Sequence, residues 1–264
     1  MPRRARLDAE LVRRGLARSR DQAAELIAGG RVRVGGQVAS KAATGVDAAT
    51  AVLVEGEATE DYVSRGGHKL AGALDAFGYD PDGRRALDAG ASTGGFTDVL
   101  LRRGAAHVVA VDVGYGQLAW PLRNDPRVTV LDRTNVRALE PGQVGEPVDL
   151  VVADLSFIPL RLVLPALVRC AAPEAELMPM VKPQFEVGRE RLPAGGVVRD
   201  PAVRADAVRA VAASAAGLGL GVRAVVASAL PGPSGNVEFF LWLRAGAPPL
   251  REAELQRAVR EGPA

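Results

Sequence analysis

The first 58 residues carry the hydrophobic pattern of a small α/β module. Apolar residues recur at helical spacing in two stretches. A short stretch that alternates with period two and a short apolar run follow them. Ser19 and Gln22 form a capping box at the start of the second helix, and Gly35-Gly36 permits a tight hairpin turn. The predicted elements are helices at residues 7–14 and 20–28 and strands at residues 31–34 and 52–54.

Further along the chain, short apolar strands alternate with amphipathic helices. Repeated strand–helix units predict a parallel sheet that is covered by helices on both faces. The last two strands have no long helix between them, which predicts an antiparallel final strand at the edge of the sheet. The predicted strands are 86–87, 108–113, 128–131, 148–153, 177–181, 223–229 and 237–243, and the predicted helices are 96–103, 117–123, 160–170, 201–217 and 251–260.

These patterns divide the chain into four segments. A small module is followed by a linker, a large α/β domain and a tail that contains alanine, proline and glutamate. The predicted bounds are 1–58 for the module, 59–66 for the linker, 67–246 for the large domain and 247–264 for the tail.

Composition limits the classes of protein that this chain can belong to. Hydrophobic residues make up 48% of the 264 positions, enough for a sizeable core. No stretch has the length of a membrane span, and no apolar run of a secretory signal follows the basic N-terminus. The single Cys170 excludes an internal disulfide and a cysteine zinc site. We therefore expect a cytoplasmic protein with no membrane partner and no bound metal.

The charges are unevenly distributed along the chain. Residues 1–41 contain ten basic and four acidic residues, a net charge of +6, and the remaining residues contain 23 basic and 27 acidic ones, a net charge of −4. A basic head on a mildly acidic body is typical of an appended nucleic-acid-binding module. The alternative interpretation is a solvated charged face.

Lysine is scarce in this sequence. Of the 33 basic residues, 30 are arginine, and the three lysines are Lys41, Lys69 and Lys182. Arginine does not lose its proton at any useful pH, whereas a buried lysine can. The lysines are therefore candidates for chemistry that arginine cannot perform, unless they were retained by chance.

The first module resembles the S4-type RNA-binding domain. The resemblance lies in Arg6-Leu7-Asp8, in Ser19-Arg20-Asp21-Gln22-Ala23 and in residues 27–36, Ile-Ala-Gly-Gly-Arg-Val-Arg-Val-Gly-Gly. It implies that basic residues of the helix pair and the following loop contact the phosphates of structured RNA. The candidate RNA-binding residues are Arg4, Arg6, Arg18, Arg20 and Lys41, with Arg65 just before the large domain.

A glycine-rich segment, residues 87–96, follows the first strand of the large domain and opens a helix. Ligands of open α/β sheets bind at the carboxyl ends of such strands. The segment lacks both the G-x-G-x-x-G fingerprint and the phosphate loop, so neither a nicotinamide cofactor nor ATP is favoured.

This segment instead resembles the first motif of class I S-adenosylmethionine methyltransferases. The resemblance implies a Rossmann-like sheet of seven strands with the last strand antiparallel, and S-adenosylmethionine as the cofactor. Four strands end in an aspartate, of which helix capping would explain one or two. We expect Asp112 to accept from the ribose hydroxyls and Asp132 to lie near the adenine amino group. The predicted cofactor-binding residues are Asp88, Gly90, Ser92, Thr93, Gly94, Gly95, Phe96, Asp112, Asp132 and Asp154.

A weak nucleophile such as a ribose hydroxyl benefits from a positioned base. The two histidines are poor candidates, because His107 begins a buried-looking strand and His68 adjoins Lys69. Four other residues, in four separate local motifs, lie where strand ends can converge: Lys69, Asp154, Lys182 and Glu238.

Their order and local motifs resemble the Lys-Asp-Lys-Glu tetrad of FtsJ-like RNA 2′-O-methyltransferases. By this resemblance Lys182 is the base that accepts the hydroxyl proton. Asp154 and Glu238 would orient the two lysines, and Lys69 would hold the target nucleotide. The alternative is that they are four separate surface charges.

An S4-type head on an FtsJ-like body resembles the TlyA family over nearly the whole chain. The resemblance implies methylation of cytidine ribose in 16S and 23S rRNA, which sensitises ribosomes to capreomycin and viomycin. The implied partners are ribosomal RNA and ribosomal subunits, and the expected state is a monomer. The sequence departs from the Arg-Ala-Trp-Val linker of relatives, because residues 60–63 are Glu-Asp-Tyr-Val and reverse its charge.

Three other functions are weighed against this one. A membrane-acting hemolysin would need a span or a basic amphipathic helix of the membrane type, and the sequence has neither. An inactive RNA-binding factor would have no need for all four tetrad positions. A pseudouridine synthase also pairs an S4-type head with a catalytic body, but it needs no glycine-rich cofactor loop.

Overall fold

The computed structural model describes residues 5–14, 16–17, 20–47, 50–54 and 62–263. The chain forms two compact units, Met1–Asp61 and Tyr62–Ala264. Ser19, Arg4 and Arg18 lie outside the described residues, and so do Glu60 and Asp61 of the altered linker. The capping box and the two phosphate contacts assigned to these positions therefore remain predictions.

The small unit packs two helices against short strands. A three-stranded antiparallel sheet has the order β3-β2-β5, and β1 pairs with β4. The hairpin turn uses Gly35 and Gly36, both with positive φ angles, as the sequence indicates. The elements are β1 (Ala5–Arg6), α1 (Leu7–Arg13), α2 (Arg20–Ala28), β2 (Val32–Val34), β3 (Gln37–Val38), β4 (Gly45–Val46) and β5 (Val52–Val54).

The large unit is a seven-stranded sheet with helices on both faces. The strand order is β11-β12-β10-β9-β6-β7-β8, and β10, β9, β6, β7 and β8 are parallel. The strands are β6 (Arg85–Ala89), β7 (His107–Val111), β8 (Val128–Leu131), β9 (Val148–Ala153), β10 (Ala171–Val181), β11 (Leu220–Ala227) and β12 (Phe239–Ala245). The helices are α3 (Arg65–Phe77), α4 (Gly95–Arg102), α5 (Trp120–Arg123), α6 (Pro141–Val144), α7 (Leu164–Cys170), α8 (Pro183–Glu186), α9 (Pro201–Ala216) and α10 (Glu252–Glu261).

The final strand is antiparallel, but it is not at the edge of the sheet, so that part of the prediction is wrong. β12 lies between β10 and β11 and is antiparallel to both. Phe239, Phe240 and Leu241 are completely buried there. An edge position would leave one row of backbone groups of this apolar strand unpaired, whereas the position between β10 and β11 pairs both rows.

Several helical segments differ from the sequence prediction, including the one-turn helices α6 and α8, which were not predicted. α3 was not predicted, and its first turn takes up residues that were assigned to the linker. The helix predicted at 117–123 is reduced to one turn, α5, which has Pro121 in its first positions. The helix predicted at 160–170 is a 3₁₀ turn (Leu160–Leu162) followed by α7.

None of the helices among the described residues is long and apolar enough to cross a membrane. In the same part of the chain, no group of three or more histidine, cysteine, aspartate or glutamate side chains could hold a metal ion.

Candidate active site

The glycine-rich turn after β6 brings the backbone close to the end of β9. Gly90 has a φ of 88°, and a Cβ atom there would overlap the carbonyl oxygen of Asp154 and press on Leu155. Gly95 begins α4, and a Cβ atom there would overlap the Ser64 hydroxyl and the backbone of Gly67. Glycine is therefore required at both positions by space, and at Gly90 also by backbone conformation.

A cavity of about 480 Å³ opens beside this turn, at the carboxyl ends of β6, β7 and β9. We call it the Asp112 cavity. The carboxylate of Asp112 accepts from the backbone N–H groups of Ser92 (2.8 Å) and Gly114 (2.7 Å). These bonds fix the carboxylate at the cavity wall. The lining residues are Gly90, Ser92, Asp112, Val113, Gln117, Asn135, Val136, Asp154, Leu155, Ser156, Phe157, Ile158 and Val163.

A second cavity of about 300 Å³ adjoins the first and shares Gly90, Ser92, Asp154 and Ser156 with it. We call it the lysine cavity. Its wall is formed by the first turns of α3 and α4, the ends of β9 and β10, and the loop before β12. The lining residues are Ser64, Arg65, Gly66, Lys69, Gly90, Ala91, Ser92, Thr93, Gly95, Phe96, Asp154, Ser156, Lys182, Pro231 and Pro233.

Lys69 projects into this cavity from α3 and pairs with Glu238. The distance from Lys69 Nζ to Glu238 Oε2 is 2.5 Å, and the two side chains are 8% and 1% exposed. Glu238 lies just before β12, and its second carboxylate oxygen, Oε1, has no hydrogen-bond partner. Removing one partner of such a buried ion pair strongly destabilises the folded protein, because the other charge is left unpaired. The pair therefore fixes the position of the Lys69 ammonium group.

Lys182 approaches the cavity from the other side, at the end of β10. It has extended backbone angles immediately before Pro183, as the sequence predicts for the residue before a proline. Its Nζ atom lies 2.6 Å from Asp154 Oδ1 and donates a hydrogen bond to Ser156 Oγ (2.9 Å). The contact with Asp154 is an ion pair outside hydrogen-bond geometry, because that Oδ1 atom accepts no hydrogen bond.

The structure thus brings the four predicted tetrad residues together as two lysine–carboxylate pairs. Lys69, Asp154 and Lys182 line one cavity, and Glu238 supports Lys69 from behind. Four separate surface charges would not show this arrangement, since Lys69, Lys182 and Glu238 are all buried.

Two of the predicted cofactor-binding aspartates do not line either cavity. Asp132 binds the Arg123 guanidinium (2.5 Å), which holds the pKa of that carboxyl below its usual range. Asp88 is completely buried, and its Oδ2 atom accepts from Thr97 Oγ1 at 2.7 Å. Asn135, which was not predicted from the sequence, lines the Asp112 cavity.

The burial of Asp88 leads to a prediction about stability and pH. Burial raises the pKa of Asp88 to about 7, and the hydrogen bond from Thr97 only partly opposes this. An aspartate in an unfolded chain titrates at about pH 4. The contribution of the protonated Asp88 to the free energy of unfolding is therefore fully present below that pH, and it is lost as the pH rises to about 7. We expect Asp88→Asn to gain stability relative to the parent over this interval, on the order of a few kcal/mol. Unfolding midpoints of both proteins from pH 4 to 8 test this, and a pH-independent difference would contradict it.

The other selected residues are distributed over both units. Arg6, Arg20 and Lys41 belong to the small unit, and Arg65 lines the lysine cavity of the large unit. His107 contacts the hydroxyl of Thr129 at 2.9 Å, away from either cavity. His68 lies edge-on against the ring of Tyr62.

Sequence reasoning missed Ser156, Gln117 and Asn135, all of which line a cavity. Ser156 follows Asp154 by two residues, at the end of a strand that had been recognised. Its place shortly after the strand-end Asp154 could therefore have identified Ser156 as a candidate site residue. No comparable signal distinguished Gln117 or Asn135 from other polar loop residues.

The strand order, the antiparallel seventh strand and the glycine-rich turn after β6 define a Rossmann-like methyltransferase of class I. The S4 domain family matches residues 5–52, and the FtsJ-like methyltransferase family matches residues 62–245. The chain therefore belongs to the FtsJ-like methyltransferases, and within them to the TlyA family, as its relatives establish.

One relative is "16S/23S rRNA (cytidine-2′-O)-methyltransferase TlyA" of Mycobacterium tuberculosis, which is 62% identical over 100% of both chains. Another, "23S rRNA (cytidine-2′-O)-methyltransferase TlyA" of Campylobacter jejuni, is 34% identical over 70% of this chain and 71% of its own. The solved structure "Putative hemolysin from Streptococcus thermophilus" has a TM-score of 0.76 and 35% identity, and the match covers 99% of this chain and 96% of that one.

Proposed function

We propose that this protein transfers a methyl group from S-adenosylmethionine to the 2′-hydroxyl of cytidine in 16S and 23S rRNA. The observation that carries the proposal is the two lysine–carboxylate pairs beside the Asp112 cavity. A cavity with two fixed lysines suits a weak hydroxyl nucleophile, which needs both orientation and a proton acceptor. The names of the Mycobacterium and Campylobacter relatives support cytidine ribose as the acceptor.

The Asp112 cavity fits the cofactor. Gly90 keeps its floor open, since any side chain there would fill the space against Asp154. Asp112 offers a fixed carboxylate for ribose hydroxyls. Asn135 offers its amide donors for a polar base edge, while its Oδ1 atom accepts from the Arg137 N–H. Bound here, S-adenosylmethionine would supply a methyl group on a positively charged sulfur. Asp88 and Asp132 then act on the site indirectly, by supporting its loops.

Lys182 is the residue to which we assign proton acceptance. Asp154 and Ser156 occupy two sides of its Nζ atom, so the remaining side is directed into the lysine cavity. On that side the Nζ atom can approach the acceptor hydroxyl, from which it would take the proton. Asp154 then stabilises the ammonium that forms when the proton is taken up.

Lys69 is assigned to the target nucleotide. Its ammonium group is held by Glu238, and it lines the same cavity as Lys182. A charged Lys69 can bind phosphate or ribose oxygens of the nucleotide and so align the hydroxyl for in-line displacement. Arg65, four residues earlier on α3, lines the same wall and adds a second cation for the RNA backbone.

The S4 unit supplies contacts to RNA beyond the single nucleotide that the lysine cavity can hold. Its basic residues suit phosphate contacts, which set affinity and register rather than sequence. With ribosomal RNA as its substrate, the protein acts in the cytoplasm as a monomer on ribosomal subunits. Loss of its activity is expected to lower susceptibility to capreomycin and viomycin.

This division of labour can be tested by deleting residues 1–58. We expect the truncated protein to bind S-adenosylmethionine as tightly as the full chain and to lose methyl transfer to ribosomal subunits. Calorimetry measures the first property, and incorporation of labelled methyl into isolated small and large subunits measures the second. Full activity of the truncated protein would refute the role given to the S4 unit, and an inactive full chain would refute the proposed function itself.

A further inference from the structure

Arg6 and Arg20 of the small unit both bind one buried carboxylate, that of Asp8. Arg6 donates from Nε to Oδ1 (3.0 Å) and from Nη2 to Oδ2 (2.9 Å). Arg20 donates to Oδ2 from Nη2 (2.9 Å) and from Nε (3.3 Å). Because the two guanidinium groups share Oδ2, Asp8 holds them side by side.

Asp8 is itself rigidly placed. It is 4% exposed, its Oδ1 atom accepts from the backbone N–H of Ala9 (2.8 Å), and its own N–H donates to Ala42 O (3.1 Å). The guanidinium of Arg6 holds the pKa of the Asp8 carboxyl far below its usual range, so the carboxylate stays charged. The arginine side chains, in contrast, are 52% and 60% exposed. Each arginine therefore presents its remaining N–H groups to solvent while Asp8 holds the guanidinium group in place.

Lys41 lies beside the same cluster. The turn that follows it is closed by the bond from Thr44 N to Lys41 O (3.0 Å). The carbonyl groups of Ala42 and Thr44 accept from Asp8 N and Leu7 N, which joins this turn to the start of α1. The backbone of Lys41 is thus held close to the start of α1 and to Asp8.

Glu10, on the same helix, offers an instructive contrast. It is also buried and also binds two arginines, Arg13 and Arg14. Arg14, however, is directed inward and donates to the carbonyl groups of Thr50 and Asp47, with a side chain only 19% exposed. The Glu10 cluster therefore ties the unit together, whereas the Asp8 cluster leaves both its arginines open to a ligand.

We propose that Asp8 is a positioning residue that presents Arg6 and Arg20 as a preformed pair to one phosphate group of the RNA backbone. The inference rests on the proposed function, because it takes ribosomal RNA as the partner. A guanidinium has five donors, and two from each arginine are engaged by Asp8. The others can bind the two free oxygens of a phosphodiester. Because Asp8 already restricts both side chains, binding loses little further rotamer freedom.

The test is the affinity of the full-length Asp8→Asn variant for ribosomal RNA. Removing a negative charge from an RNA-binding surface should tighten binding if charge alone mattered. We expect the opposite, a dissociation constant raised about tenfold, because two arginines must now be ordered on binding. The decrease of affinity with salt should also become shallower, since fewer phosphate contacts form. Filter binding over a salt series measures both quantities.

Two further variants separate positioning from a merely structural role. Glu10→Gln removes a comparable charge from the same helix, and we expect it to bind RNA at least as tightly as the parent. In a background of Arg6→Ala and Arg20→Ala, adding Asp8→Asn should cost no further affinity, because its effect passes through those arginines. This comparison holds even if Asp8→Asn lowers the unfolding temperature.

The outcomes are distinct. Unchanged or tighter RNA binding by Asp8→Asn overturns the inference, and so does an equal loss in Glu10→Gln or a further loss in the arginine-free background. Methyl transfer to ribosomal subunits by the parent protein is measured separately, so the proposed function stands if the inference alone fails. A parent protein that binds no ribosomal RNA would overturn both.

Discussion

Lys182→Ala is expected to reduce methyl transfer by about 10²- to 10⁴-fold, the range typical for loss of a general base. The variant removes the group that faces the lysine cavity between Asp154 and Ser156. Cofactor affinity should change little, because Lys182 does not line the Asp112 cavity. Single-turnover transfer of labelled methyl and calorimetry with S-adenosylmethionine measure the two properties separately. Normal turnover would remove Lys182 from the role of base.

Lys182→Arg is the matched control for charge. Arginine keeps the positive charge and can still pair with Asp154, but it does not release its proton in a protein. If Lys182 only neutralised Asp154 or bound a phosphate, the arginine variant should retain substantial activity. We expect it to be as inactive as the alanine variant, with an unfolding temperature closer to that of the parent.

Gly90→Ala is expected to lower cofactor affinity by at least about tenfold and to destabilise the large unit by about 2–5 kcal/mol. Two physical effects combine: an alanine at a φ of 88° is strained, and its Cβ atom overlaps the carbonyl oxygen of Asp154. Because Gly90 and Asp154 line both cavities, any shift that relieves the overlap distorts the site.

Gly195→Ala separates these two effects. Gly195 has the same φ, 88°, but a Cβ atom there meets no atom within 4 Å. This variant should therefore show only the backbone strain, on the order of 1 kcal/mol, and normal cofactor affinity. Thermal unfolding and cofactor calorimetry on both variants provide the comparison. Equal losses in the two proteins would mean that the close approach of Gly90 to Asp154 does not matter.

The parallel sheet could be predicted because hydrophobic periodicity is a local property of the sequence. The placement of β12 could not, since strand order depends on pairing between residues that are distant in sequence. Its run of buried residues, Phe239 to Leu241, carried a usable signal, because such runs are typical of strands that are covered on both faces. α3 was missed because Gly66 and Gly67 resemble a loop. Gly67 is a glycine for a different reason, because a Cβ atom there would overlap the side chain of Tyr62.

The site could be predicted in outline because parallel strands place their carboxyl ends at one edge. That rule brings Asp154 and Lys182 together, as the structure does. It cannot say which strand-end aspartate faces a cavity. Asp88 is directed into the core toward Thr97, and Asp132 toward Arg123, because their neighbours offer hydrogen-bond donors there. The choice of Ser156 as a partner for Lys182 depends on loop geometry, which no spacing rule supplies.

The central claim is that the methyl group reaches a ribose hydroxyl rather than a base, and the chemistry of RNA offers a direct measurement. Ribosomal subunits are labelled with methyl-labelled S-adenosylmethionine by the full-length protein, and the purified rRNA is hydrolysed with alkali. A 2′-O-methyl group blocks cleavage of the adjacent phosphodiester. We therefore predict that the label is recovered in alkali-stable dinucleotides that begin with cytidine. Label recovered in mononucleotides would place the methyl group on a base and contradict the account.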